Sequence, residues 1–91
     1  MSSYPRFRAT EEMVVQDVER DTLVYQRQRK RLVVLNRSAA TILRLCDGEH
    51  GEPDIVRSLA ERFPEARPDD VTEDVRQTVE ELVELGLVTQ H

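Results

Sequence analysis

Leu35-Asn36-Arg37-Ser38-Ala39-Ala40-Thr41-Ile42-Leu43-Arg44-Leu45-Cys46-Asp47-Gly48 is the stretch in which the chain changes its period. Before it, from Met13 onward, apolar residues come in short β-branched runs. Within it, Ala39, Ile42, Leu43 and Cys46 recur at helical spacing. Asn36 or Ser38 can cap a helix, because either side chain can accept from an unpaired first-turn N–H. Gly48 offers a residue that tolerates positive φ just past the helix end. A first helix is therefore expected over about 38–47.

Toward the N-terminus, three runs read as strands: Met13-Val14-Val15-Gln16-Asp17-Val18, Thr22-Leu23-Val24-Tyr25-Gln26 and Arg31-Leu32-Val33-Val34-Leu35. Glu19-Arg20-Asp21 and Arg27-Gln28-Arg29-Lys30 join them. Short polar connections between consecutive strands make an antiparallel meander. Neither connection holds Asn-Gly or Asp-Gly, so the turn types are not read from sequence. Residues 1–10 read as a loose lead-in that ends in a short extended piece.

Toward the C-terminus, a second helix starts near Pro53, with Ile55, Val56, Leu59, Ala60 and Phe63 as its stripe, and stops before Pro64. A third helix is expected over about 70–85. Its stripe is Val71, Val75, Thr78, Val79, Leu82, Val83 and Leu85. Asp69, Asp70, Glu73 and Asp74 crowd its first turn, which suits the helix dipole. Gly86 ends it, and Leu87-Val88 returns to the core. The order implies an α+β, winged-helix-like fold: an N-terminal three-stranded antiparallel sheet followed by three helices, in one domain over 11–89.

The bulk numbers narrow the function. Ninety-one residues make one small domain with a modest core. No apolar run approaches the ~20 residues that span a bilayer. The start, Met1-Ser2-Ser3-Tyr4-Pro5-Arg6, lacks a signal-peptide core, so a cytoplasmic location and no membrane partner are expected. The single cysteine, Cys46, lies in an apolar run and reads as a small buried hydrophobe. His50 and His91 are the only histidines, and no ligand spacing for a metal appears. The glycines form no phosphate loop, and the carboxylates read as a solvated helix face. No catalytic residue, metal or cofactor is expected.

Charge is unevenly spread. Residues 1–45 hold nine Lys/Arg and five Asp/Glu, a balance of +4, while residues 46–91 hold four and thirteen, a balance of −9. The cluster Arg27, Arg29, Lys30, Arg31 and Arg37 could serve as a basic wing on DNA, but the acidic second half repels phosphates, so no nucleic-acid partner is expected. The sheet edge remains. The third strand is apolar, short and bounded by charge, and an exposed apolar edge either aggregates or takes a partner strand. The third helix has a stripe wider than two short helices and a small sheet would bury. A groove between that strand and that helix explains both features. About five backbone hydrogen bonds and two or three buried side chains would give roughly micromolar peptide binding.

The stretch from Leu35 to Gly48 resembles the signature of the PqqD family: Leu-Asn, a variable residue, Ser/Thr-Ala, an apolar helix, then Asp-Gly. Asp54-Ile55-Val56 with Leu59 and Phe63, and Asp74-Val75 with Val79, Leu82, Gly86, Leu87 and Val88, are similar to its later helices. The resemblance covers about residues 10–89. It implies a RiPP recognition element, a peptide chaperone that binds the leader region of a ribosomal precursor peptide by strand addition. Such a domain presents the peptide to a tailoring enzyme, such as a radical S-adenosylmethionine enzyme, a cyclase or a leader peptidase. Carried over by position, the strand contacts are Arg31, Leu32, Val33 and Val34, and the helix contacts come from Asp74, Val75, Thr78, Val79 and Leu82. Ile42, Leu43 and Val34 stand where many relatives have an aromatic residue, and Glu52-Pro53 replaces the usual Ser or Thr cap. The basic cluster could meet acidic leader residues. Two rival readings are a winged-helix DNA-binding protein and a non-catalytic scaffold that dimerises through its edge strand. A monomer or weak homodimer is expected.

Overall fold

The computed structural model describes residues 6–10 and 12–90. In chain order the elements are β1 (Arg6–Ala9), β2 (Met13–Val18), β3 (Asp21–Gln26), β4 (Arg31–Leu35), α1 (Arg37–Leu45), β5 (Asp47–Gly51), α2 (Glu52–Arg62), α3 (Pro68–Glu84) and β6 (Val88–Gln90). The meander read from the sequence is present as an antiparallel sheet in the order β2-β3-β4. The α+β, winged-helix-like arrangement of this sheet and three helices holds.

Strand alternation divides the sheet into two faces. Thr22, Val24, Gln26 and Leu35 are buried on the helix side, with Val33 partly buried beside them. The outward side chains of Leu32 and Val34 stay exposed. Two turn residues that are not glycine take left-handed backbone, Glu19 at φ 58° and Lys30 at φ 50°. This is why the hairpins lack the usual Gly signals.

Leu35 ends β4 in the core, and Asn36 then caps α1: its side-chain Oδ1 accepts from the Ala39 N–H at 2.8 Å. Ser38, the other candidate cap, instead donates to Asn36 Oδ1 at 3.1 Å. Helix α1 ends two residues short of the expected limit, with Cys46 as its C-cap. Asp47–Gly51 is a strand, so α1 and α2 are joined by an extended piece and not by a tight helix-turn-helix turn.

That strand belongs to a second sheet, in the order β5-β1-β6, which the sequence reading did not foresee. Its centre is Arg6–Ala9, within the segment expected to be a loose lead-in; residues 1–5 of that segment lie outside the described residues. Phe7 is buried there and joins Leu87 and Val88 in the core.

This second sheet changes the account of α3. Val71, Val75, Val79 and Leu82, the centre of its apolar stripe, are all buried, while Val83 is 37% exposed and Thr78 and Leu85 are half-buried at its flanks. Phe7, Leu87 and Val88 share the core with the buried part of that stripe.

The end of α3 is closed in two ways. Gly86, at φ 76°, donates to the Val83 carbonyl at 3.0 Å, and the Leu87 N–H donates to the Leu82 carbonyl at 2.9 Å. This is a Schellman closure. The Leu85 carbonyl points the other way, to the β3–β4 hairpin. It accepts from Gln26 Nε2 at 2.8 Å, Arg31 Nη2 at 2.7 Å and Arg29 Nη1 at 3.3 Å. Arg31 Nε also donates to Gln26 Oε1 at 3.0 Å. Helix α3 has no basic residue in its last turn, so the hairpin supplies the positive charge that a helix C-terminus favours.

Two variants test this closure. A Cβ at Gly86 would lie 2.7 Å from Arg29 Cζ and would sit on left-handed backbone. Gly86→Ala is expected to cost about 1–2 kcal/mol and to lower Tm by roughly 5–10 °C. Gln26 is buried, at 5% exposure, so Gln26→Ala is expected to cost about 1–3 kcal/mol in urea unfolding. Arg27→Ala on the same hairpin should stay within about 0.5 kcal/mol. Equal effects of Gln26→Ala and Arg27→Ala would show that the Leu85 contacts do not anchor the hairpin.

Candidate peptide-binding site

Among the described residues strand β4 pairs only with β3, so its other side is a sheet edge. On an edge strand, alternate residues turn N–H and C=O groups outward, and these groups accept an added strand. The edge is held at both ends. Arg31 is tied to the C-terminal end of α3, and Leu35 runs through the Asn36 cap into α1. Helix α1 in turn packs on α3 and on β4. The strand is short, apolar in its middle and positioned by two helices.

The structure sorts the expected site residues into two groups. Arg31, Leu32 and Val34 are exposed and Val33 is half-buried, so all four strand positions lie at the edge strand with surface to offer. On α3, Asp74 is exposed and Thr78 is half-buried. Val75, Val79 and Leu82 are core residues, exposed by 0%, 4% and 1%. They face the middle of the stripe, where the two sheets and the other helices cover them. Their part is to fix where α3 lies and not to present surface.

One flank of α3 replaces them. Asp74, Thr78, Glu81 and Leu85 recur at i, i+4, i+7 and i+11, so they share one side of the helix. Leu85, at its end, is where Gln26, Arg29 and Arg31 of the hairpin arrive. The opposite flank faces elsewhere: Arg76, Glu80, Val83 and Glu84 line a hollow with Phe7 of β1 and Gln90 of β6. The flank of Asp74 and Thr78 is thus the one that runs to Leu85, where Arg31 at the start of β4 is bonded. Glu81 is exposed and Leu85 half-buried on that flank, beside the buried stripe centre that the sequence reading took for accessible surface. Their spacing from Asp74 and Thr78 was the available signal.

The basic cluster is divided in the same way. Arg31 and Arg29 are engaged at the Leu85 carbonyl. Arg27 and Lys30 are exposed at the hairpin tip.

The remaining reactive groups have structural explanations. Cys46 is buried and donates to the Ile42 carbonyl at 3.2 Å; burial, then the nearby Asp47 carboxylate, push its thiol up to about 11. A thiol held protonated is a poor nucleophile. His50 Nδ1 lies 2.8 Å from Asp47 Oδ1, and this contact, with the Glu49 N–H, holds the Asp47 carboxyl below its ordinary range. Asp17 is likewise lowered by the Thr22 hydroxyl and then by Arg44, which accompany it at 2.8 and 2.7 Å. Among the described residues no helix is long and apolar enough to cross a membrane.

Comparison with known proteins places the fold. Three solved structures are similar in fold. TbiB1 in complex with the TbiA(beta) leader peptide has 15% identity and a TM-score of 0.74, over 89% of this chain and 93% of that one. Lasso peptide synthetase B1 complexed with the leader peptide has 23% identity and a TM-score of 0.76, over 92% of this chain and 98% of that one. The heterocyclase TruD has 19% identity and a TM-score of 0.63, over 96% of this chain but 12% of the TruD chain. At these identities the likeness is one of fold. No curated protein matches. The family model described as coenzyme PQQ synthesis protein D (PqqD) matches residues 12–88, from the first strand of the meander to the start of β6, and so the chain belongs to the PqqD family.

Proposed function

We propose that this chain is a RiPP recognition element, which binds the leader region of a ribosomal precursor peptide and presents it to a modifying enzyme. The observation that carries the reading is the open edge of β4 held beside one flank of α3. Two of the proteins similar in fold were solved with leader peptides. The heterocyclase TruD contains a similar fold as a small part of a long chain, which fits a domain that works together with an enzyme.

In this reading the peptide adds to β4 as a fourth, outer strand. Backbone groups of Arg31, Leu32, Val33 and Val34 make the pairing, and Asp74 and Thr78, joined by Glu81 and Leu85, meet the side chains that point toward α3. Val75, Val79 and Leu82 act from beneath by holding the helix in place. Main-chain pairing supplies affinity and the helix flank supplies choice. The chain itself performs no bond chemistry and needs no cofactor; its partners are the peptide and a tailoring enzyme, in the cytoplasm. The whole function rests in one domain, over about 11–89, with β1 packed onto it.

The test is a fluorescence-polarisation titration with the labelled leader of the precursor peptide encoded beside this chain. Wild type should saturate at roughly micromolar affinity. Thr78→Trp, which fills the α3 side of the groove at a half-buried site, should weaken binding at least about tenfold while circular dichroism stays native. Arg57→Glu, on the exposed side of α2, should bind like wild type. Salt-dependent binding to duplex DNA by a folded protein that ignores the peptide would sink the proposal.

A further inference from the structure

The back flank of α3, across the helix from Asp74 and Thr78, is not closed over. Arg76, Glu80, Val83 and Glu84 recur at i, i+4, i+7 and i+8, so they share that side of the helix. They border a hollow of about 440 Å³ together with Phe7 of β1 and Glu52, the first residue of α2. Its floor is apolar. Phe7 and Val79 are nearly sealed beneath it, at 6% and 4% exposure, and Val83, at 37%, offers most of the open surface. The hollow continues past Glu52 and Arg76 onto Pro53 and Val56 of α2.

The rim is acidic. Among the described residues, Glu52, Glu80 and Glu84 have no ion-pair partner. Arg76 is the cation of the lining, and its Nη2 is taken by Glu73 at 2.8 Å. Four carboxylates thus share one guanidinium, a balance of −3. Arg6 and Arg8 alternate with Phe7 along β1, so they leave on the other face of that strand. Glu80 and Glu84 also lie in the last turns of α3, where the helix end is itself negative. The hairpin guanidinium groups relieve that end only on the other flank, at the Leu85 carbonyl. The back flank keeps uncompensated negative charge beside apolar surface.

An apolar floor with an acidic rim suits long cationic side chains. Lysine and arginine lay their methylene stems on apolar surface and keep the charged head at its border. Glu80 and Glu84 stand one helical turn apart, about 6 Å along the axis. We propose that this hollow docks a basic segment of the modifying enzyme, with lysine or arginine residues about one helical turn apart beside an apolar residue. The inference rests on the recognition-element reading, which requires an enzyme to meet the domain while β4 holds the peptide. Because the hollow lies across α3 from Asp74 and Thr78, the two contacts do not compete. Rim charges act mainly on encounter rate and salt dependence, which suits a contact that must form and part during delivery.

Biolayer interferometry of the full chain against the purified modifying enzyme encoded beside it, with the leader titration run in parallel, tests the proposal. Wild type should bind the enzyme, and more weakly as salt rises from about 50 to about 300 mM. Glu80→Lys with Glu84→Lys should weaken enzyme binding at least about tenfold, and Val83→Asn about fivefold. Both should keep leader affinity and native circular dichroism. Glu80→Gln with Glu84→Gln should weaken enzyme binding yet raise the Tm of the free chain by about 2–5 °C, because it removes charge of the wrong sign from the helix end. A folded charge-reversed protein that binds the enzyme like wild type would overturn the proposal, and so would a wild type that binds the leader but not the enzyme; either leaves the recognition-element reading standing. Loss of leader affinity in these variants would also overturn it, since the hollow would then belong to the path of the peptide. Self-association abolished by the charge reversal would do the same, with the basic hairpin of a second copy as the occupant. A wild type that ignores the leader would remove both readings.

Discussion

The carbonyl of Leu85 joins the two halves of this domain. It belongs to the C-cap residue of α3, and it takes donors from Gln26, Arg31 and Arg29 of the β3–β4 hairpin. A helix C-terminus carries partial negative charge and unpaired carbonyls. Helix α3 is acidic and brings no cation of its own to that end. The hairpin brings two guanidinium groups and a buried amide instead. Because Gln26 and Arg31 also bond to each other, the turn, the strand and the helix end form one unit. β4 therefore cannot drift from the end of α3 without undoing that unit.

The second sheet supports α3 from another side. A helix with one flank at a binding edge must be held from its remaining sides. Phe7, Leu87 and Val88 bury the α3 stripe from β1 and β6, and α1 and α2 pack alongside. Val75 and Leu82 are sealed. Mobility of the helix would therefore disturb the core, so the flank that carries Asp74 and Thr78 is a rigid wall. Preorganisation of this kind lowers the ordering cost of binding a flexible peptide. A short edge of five residues can then give useful affinity without a large interface.

Much of this was legible in the sequence. The switch from period two to period 3.6 at Leu35-Asn36 marked the end of the meander, and the structure gives the physical reason: Leu35 closes the core layer and Asn36 caps the helix. The strands of the meander and the Gly86 stop were readable because each is a local pattern. The second sheet was not. Asp47-Gly48-Glu49-His50-Gly51 has no β-forming residue, and its pairing with Arg6–Ala9 depends on a partner some forty residues away. Arg6–Ala9 is only four residues long, with Phe7 and Ala9 alternating with two arginines, and Val88–Gln90 is only three residues long. Without that sheet, the α3 stripe looked too wide for its surroundings. The error carried into the site, where the stripe centre was taken for contact surface although the flank offers it. Gln26 was missed for a related reason: a polar residue at an inward strand position is visible in sequence, but its partner, a helix-end carbonyl, is not.

The arrangement also limits how charge can act at the groove. The +4 balance of residues 1–45 suggests attraction for an acidic peptide. Part of that charge is committed, since Arg29 and Arg31 bond to the Leu85 carbonyl and Arg44 to Asp17. The α3 flank opposite carries Asp74 and Glu81. The proposed groove would thus have one wall with basic residues and one with acidic residues. A uniform field would favour one sign of peptide whatever its order of residues. Walls of opposite sign penalise a block of either charge and favour a peptide whose charges match both sides. Selection then depends on the pattern of the bound strand more than on its net charge, which suits a domain that must tell one leader from other extended polypeptides.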